Sequence, residues 1–463
     1  MSIPLHWLDL RRIAALIAAG DLSARQVVED CLARIARLQP RLNAFITIFA
    51  DEALAEADRA DALRRQNGRL GPLHGVPIGV KDIFAIAGQR MTAGMPSRAQ
   101  QICTETATVI RRLQQAGAIV IGTQNVAEGV FGEYLAPYGP PVNPWRADLW
   151  PGASSGGSAV AVSAALGYGA IGSDTGGSIR MPSAVNGVTG LKPTWGRVSR
   201  YGVFELAGTL DHIGPIARNA ADAALLYDVI AGPDPLDPTS LAGPVTPLSA
   251  ALGQGVAGLT IGLDPAWIEE GVAPEVSATI HAAARVLQEQ GAILRPVSLP
   301  ALPDVVDIWY DICASQTARV HAENFARHSE TYSAALSAII RHGQTQPEAN
   351  RKRAQDRRTA YSASLIAALS QVDLVAIPVL PFAPPSLAQT QNMDRSLIDA
   401  LHRFTCPFTL SGAPCITFPG GQTAKGLPLA VQLVATPLAE DRLVRAAHAF
   451  QTMAAQHPPL ASN

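Results

Sequence analysis

At 463 residues, 48% hydrophobic and 16% charged, the chain has the composition of a globular protein with a large interior, and its length allows either several domains or one large α/β domain. A formal net charge of -2, with no block of like charge, excludes the basic footprint of an electrostatic nucleic-acid partner. Five scattered cysteines without a C-x-x-C pair exclude a disulfide framework or a structural zinc site. With no secretory pattern at the N-terminus and no apolar run of about 18 residues, a soluble, cytoplasmic protein without a membrane partner is expected.

In chain order, Ser23 and Gln26 make a capping box, and Val27, Val28, Leu32, Ile35 and Leu38 follow at helical spacing. "EALAEADRADALRRQ" predicts a second, charged amphipathic helix, so residues 1–70 read as a helical part. From Gly71 the character changes: "GPLHGVPIGVKDIF" reads as a turn, a short apolar strand, then Lys81. "RRLQQAGAIVIGTQN" is a helix end, a glycine turn and a buried strand. "SAVAVSAAL", from Ser158 to Leu166, is a helix of small residues suited to close packing, and "GAIGSDT" is a strand after it. This alternation predicts an α/β/α sandwich around a mixed, mostly buried sheet. Residues 233–370 are richer in helices and form an expected variable insertion. "VDLVAIPVLP" and "PLAVQLVA" are returning strands, and "AEDRLVRAAHAFQTMAA" is a final helix. Strands at both ends of the chain argue for a single domain over 1–463, with a catalytic core at 71–225 and closing strands and helix at 371–463.

The G-x-S-x-G elbow, the GxxxxGK[ST] phosphate loop and H-E-x-x-H are all absent. His74 and His212 lie near interesting loops but lack a metal-type partner at helical spacing. What stands out is a pair of Ser/Gly loops, "PGASSGGSA" (151–159) and "SDTGGSIRMP" (173–182). In the second, Gly176 and Gly177 permit a tight turn with positive φ, and Ser178 is then turn chemistry. Alternatively, the N–H groups of Thr175, Gly176, Gly177 and Ser178 stand open to a developing negative charge beside a nucleophile. A nucleophilic serine needs a base, and without a placed histidine that base can be a lysine. Lys81, carried by "GVPIGV" to the end of a buried strand, would lose hydration of its ammonium and so have a lowered pKa; a surface lysine at a strand terminus is the competing reading.

Taken in order, a lysine after "HGVPIGV", then "PGASSGGSAVAV", then "GSDTGGSIRMPSAVNGVTGLKPTWGRVSRYG" closely resemble the amidase signature family. "AGDLSARQVVEDCLARIARLQPRLNAFI" is similar to that family's N-terminal helices. "TCPFTLSGAPCITFPGG" with "GLPLAVQLVA" is similar to its C-terminal strands, so the resemblance spans nearly the whole chain and is weakest between about 233 and 370. It implies a serine hydrolase with a Ser–Ser–Lys triad and neither metal nor organic cofactor. Residue by residue, Ser178 matches the acyl-accepting nucleophile, Ser154 the bridging serine and Lys81 the base. A cis peptide bond is implied between Ala153 and Ser154, and an oxyanion hole of the N–H groups of residues 175–178. Asp174 and Arg180 read as a brace for the loop, and Ser155 as a hydroxyl supporting the Lys–Ser pair. The chain departs from the family with Ala153 where glycine is frequent and Ser173 where threonine is usual.

The resemblance leaves the substrate open. In "EGVFGEYLAPYG" (128–139), Phe131, Tyr134 and Tyr138 suit an aryl or apolar acyl pocket, with core packing as the alternative. The expected reaction is hydrolysis of a small amide to a carboxylate and ammonia or an amine. Three other readings are a glutaminase subunit of a tRNA-dependent amidotransferase, a hydrolase of a small carboxylated urea with Tyr310 and Arg319 anchoring the carboxylate, and a non-catalytic interaction protein. A small-molecule amide is the expected partner, with nucleic acid only in the amidotransferase case and a homodimer as one conceivable assembly.

Overall fold

A computed structural model describes residues 3–453 apart from 67, 69, 132, 303 and 392. Its strands are β1 (Phe45–Ile48), β2 (Pro77–Lys81), β3 (Ile119–Gln124), β4 (Ala170–Asp174), β5 (Thr189–Lys192), β6 (His212–Ala217), β7 (Thr260–Leu263), β8 (Ile293–Pro296), β9 (Leu374–Ile377), β10 (Cys415–Gln422) and β11 (Pro428–Val434). They form one mixed, 11-stranded sheet in the order β1-β3-β2-β4-β6-β5-β10-β11-β9-β7-β8. β2 runs parallel to both β3 and β4, and β7 parallel to both β8 and β9. The hairpin β10–β11 fills the middle, antiparallel to β5 on one side and to β9 on the other.

Strand periodicity explains the layering. Along β9, Leu374 and Ala376 enter one hydrophobic cluster while Val375 and Ile377 enter another; on β11, Leu433 and Val434 divide in the same way. Successive side chains point to opposite faces, so a strand apolar at every position must be covered on both. The helices Ala220–Ile230, Pro274–Glu289 and Glu440–Met453 contribute to the first cluster, and Glu348–Leu369 to the second. This is the expected α/β/α sandwich.

Ser23 caps the helix Ala24–Leu42 with the expected reciprocal bonds, Gln26 N to Ser23 Oγ at 3.0 Å and Ser23 N to Gln26 Oε1 at 2.9 Å. Between that helix and Ala50–Arg65 the structure adds β1, four residues too short to register as a periodic pattern. The segment 233–370 is largely helical but not only so: β7 and β8 lie within it and extend the same sheet. "TCPFTL" is helical over Cys406–Leu410 and leads into β10. The final predicted helix is present over Glu440–Met453, and its last two positions, 454–455, lie outside the described residues.

Candidate active site

Lys81 ends β2 and is fully buried. Because β2 and β4 are parallel, with Gly79 opposite Ala170 and Val80 opposite Ile171, their C-terminal ends emerge together. The loop leaving β4 therefore starts beside the lysine. The small-residue helix Gly156–Ser163 packs against both strands. The helix also approaches the end of β3 closely at Gly157, where a Cβ would come within 2.5 Å of the Asn125 backbone. The residues leading into that helix bring Ser154 to the lysine: Lys81 Nζ donates to Ser154 Oγ at 2.7 Å and to Ser173 Oγ at 2.9 Å. The Ala153–Ser154 peptide bond is cis.

Burial dominates the lysine's acidity. Desolvation lowers its pKa to about 7, against the opposing pull of the Asp174 and Asp211 charges. Its hydrogen-bond partners are neutral hydroxyls, and among the described residues it forms no ion pair. Exposure sorts the three groups: Lys81 is 0% and Ser154 1% accessible, whereas Ser178 reaches 9%. Ser178 is the least buried of the three, and the loops meet again where Ser155 N donates to Ser178 O at 3.3 Å.

Asp174 and Arg180 brace this loop from below. The buried carboxylate accepts the N–H groups of Gly177 at 2.8 Å and Ile179 at 3.1 Å, and takes a two-pronged ion pair from Arg180. The remaining guanidinium donors reach Thr405 O, Thr409 Oγ1 and Gln432 Oε1, so the buried cation is saturated. Burial alone would raise the Asp174 pKa; the guanidinium holds it well below the usual carboxylate range.

Two expectations are corrected by these contacts. Gly177 spends its N–H on Asp174, which leaves Thr175, Gly176 and Ser178 as the loop N–H groups without a hydrogen-bond partner among the described residues. The two glycines also serve different ends. Gly177 has φ +132°, whereas at Gly176 the need is space, since a Cβ would lie 2.5 Å from the Trp309 ring. Ser155 stands one residue removed from the lysine: its Oγ bonds the main chain of Ser173, donating to O at 3.2 Å and accepting from N at 3.4 Å. The second hydroxyl on Lys81 belongs to Ser173.

The proposed pocket residues fare differently. Tyr134 donates its hydroxyl to Gly152 O at 2.9 Å and lies against Gly156, bracing the Ser154 loop. Phe131 packs on the main core, and the Tyr138 carbonyl accepts from Asn43 Nδ2 at 2.6 Å. Tyr310 and Arg319 share the helix Val305–Val320 but stand nine residues, about half a turn, out of phase. Tyr310 packs beside His342 and Arg319 is exposed, so the two do not converge.

The wall of the loop comes instead from residues that sequence reading missed. Trp309 Nε1 donates to Thr175 O at 2.8 Å and the indole stacks on His402, with ring centres 4.8 Å apart. Thr405 Oγ1 donates to Gly176 O at 2.5 Å, and Thr175 Oγ1 donates to Asp211 at 2.6 Å. His74 bonds Ala60 O, and His212 Nδ1 donates to Leu210 O at 2.6 Å.

A family model described as Amidase matches residues 26–444. The chain belongs to the amidase signature family. This amidase is 39% identical over 463 residues to a Mycobacterium tuberculosis (strain H37Rv) chain carrying the amidase name AmiD, covering 98% of this chain and 96% of that relative. It is 38% identical over 468 residues to a subunit of the glutamyl-tRNA(Gln) amidotransferase of Synechococcus sp. (strain WH7803), covering 95% of each. Among solved structures, a bacterial aryl acylamidase of the same family matches with a TM-score of 0.89 at 28% identity over 97% of each chain. The protein is therefore an enzyme of the amidase class, a hydrolase of amide C–N bonds. No helix among its described residues is long and apolar enough to cross a membrane.

Proposed function

We propose that this amidase cleaves small amides through a serine acyl-enzyme, with Ser178 as nucleophile, Ser154 as proton bridge and Lys81 as base. The observation that carries this reading is the buried Lys81–Ser154 hydrogen bond of 2.7 Å, with the Ser178 loop joined to it by the Ser155 N to Ser178 O bond. A neutral lysine amine has two N–H donors and one lone pair. With one N–H on Ser173 Oγ, the lone pair can turn to Ser154. Lys81 then takes the Ser154 proton as Ser154 takes that of Ser178, and the Ser178 oxygen attacks the amide carbonyl carbon. The carbonyl oxygen becomes an oxyanion facing the free N–H groups of the 175–178 loop. Collapse breaks the C–N bond, the proton returns through Ser154 to the leaving nitrogen, and water repeats the sequence on the acyl-enzyme to release the carboxylate.

An aryl or apolar acyl group is our preferred substrate class. The structural likeness to an aryl acylamidase supports the same class. A second reading, the glutaminase component of an amidotransferase, is favoured by the 38% identity to the Synechococcus amidotransferase chain. The carboxylated-urea reading loses its support with the divergence of Tyr310 and Arg319. Release of ammonia or amine from a panel of aryl, aliphatic and ureido amides plus glutamine tests these readings. Turnover of aryl amides by the isolated chain is the expected result; activity on glutamine alone would select the amidotransferase role.

A further inference from the structure

Two peptide units of the nucleophile loop are gripped by their carbonyls. In the Gly176–Gly177 unit, the carbonyl accepts from Thr405 Oγ1 at 2.5 Å and the N–H donates to Asp174 Oδ1 at 2.8 Å. That plane is held at both ends and its N–H is used within the loop. The Thr175–Gly176 unit is held at one end only, where its carbonyl accepts from Trp309 Nε1 at 2.8 Å. A trans peptide is planar and its N–H points opposite to its C=O. Gly176 N–H is thus turned away from the indole, and it has no acceptor among the described residues.

Trp309 is well placed to fix that plane. It is 2% exposed, stacks on His402 with the rings inclined by 24°, and leaves no room for a side chain at position 176. Losing the indole N–H would strand a buried carbonyl, which would rotate in search of another donor and swing Gly176 N–H with it.

We propose that Trp309 is a positioning residue whose indole N–H sets the Thr175–Gly176 peptide plane and thereby aims Gly176 N–H at the oxyanion formed when Ser178 attacks. The inference rests on the serine acyl-enzyme reading above. It assigns part of the rate acceleration to a helix in the segment where the family resemblance is weakest.

The test removes the N–H and keeps the ring. Trp309→Phe, and β-(3-benzothienyl)alanine installed at position 309 as an indole isostere without the donor, are compared with the wild type. Measured are kcat and KM on the best amide of the panel, the thermal midpoint, and inhibition by phenylboronic acid, whose tetrahedral adduct with Ser178 mimics the oxyanion. Outright loss of an oxyanion donor lowers kcat by about 10²–10³, so loss of its aiming group should lower kcat by about 10- to 100-fold with little change in KM. Phenylboronic acid affinity should fall in step with kcat/KM, as a transition-state mimic requires. The isostere keeps the indole shape, so it reads the same quantity if the phenylalanine variant folds poorly. Unchanged kcat, with or without a raised KM, overturns the inference, as does a fall in kcat with phenylboronic acid affinity intact. If Ser178→Ala is inert while the position-309 variants match wild type, only this inference falls. If Ser178→Ala keeps hydrolysing the amide, the acyl-enzyme reading falls and takes the inference with it.

Discussion

Arg180 grips Asp174 through two parallel hydrogen bonds, Nε to Oδ2 at 2.9 Å and Nη2 to Oδ1 at 2.8 Å, where neither side chain touches solvent. The same carboxylate holds the N–H groups of Gly177 and Ile179, so the pair shapes the turn that presents Ser178. Removing the guanidinium leaves a buried, uncompensated charge. Arg180→Ala is expected to destabilise the fold by about 3–5 kcal/mol at neutral pH, read by urea unfolding. The Asp174 pKa is depressed in the folded state, so the stability it contributes is present above the ordinary carboxylate range and lost as pH falls. The gap between wild type and variant should accordingly narrow toward acid; a gap independent of pH would contradict this account.

Ser178→Ala removes one oxygen from a residue that holds its neighbours through the main chain. Hydrolysis should vanish while the thermal midpoint stays near that of wild type. A fluorophosphonate should label wild type at Ser178, found by peptide mapping; near-wild-type turnover by the variant would reassign the nucleophile.

With the Lys81 pKa lowered to about 7 by burial, the base form is populated above that pH. At limiting chemistry, kcat/KM should rise through about pH 7 and then level off. The folded pKa lies below the unfolded value, so the unfolded chain binds more protons between about 7 and 10.5, and this group makes stability rise with pH there. Lys81→Met should lose several orders of magnitude in rate and gain stability relative to wild type near pH 6, with the gain shrinking toward pH 10. A rate profile flat from pH 6 to 9 together with an active variant would remove the lysine from the mechanism.

Two adjacent serines should separate cleanly. Ser154→Ala removes the hydroxyl that links Lys81 to Ser178 in the proposed relay, and kcat should fall about 10²-fold or more. Ser155→Ala breaks only side-chain bonds to the main chain of Ser173, and should cost about 1 kcal/mol of stability with kcat largely retained. Equal kinetic losses at both positions would place Ser155 in the proton path and contradict this account.

The order of motifs along the chain was enough for the fold class, the helix cap at Ser23, the strand ending at Lys81 and the two serine loops. These are legible because they depend on neighbours: apolar periodicity, a capping pair, glycines where a chain turns. The resemblance carried by the motifs added the family and the bridging role suggested for Ser154. Only the tertiary structure decided that Ser173 meets the lysine with Ser155 behind it, that Asp174 takes the Gly177 N–H, and that Tyr310 and Arg319 diverge. It also brought Trp309 and Thr405 to the carbonyls of Thr175 and Gly176 across separations of 134 and 229 residues. A hydrogen bond is won or lost over a few tenths of an ångström and a few tens of degrees, and at such separations those are set by sheet order and helix packing, which local spacing does not encode.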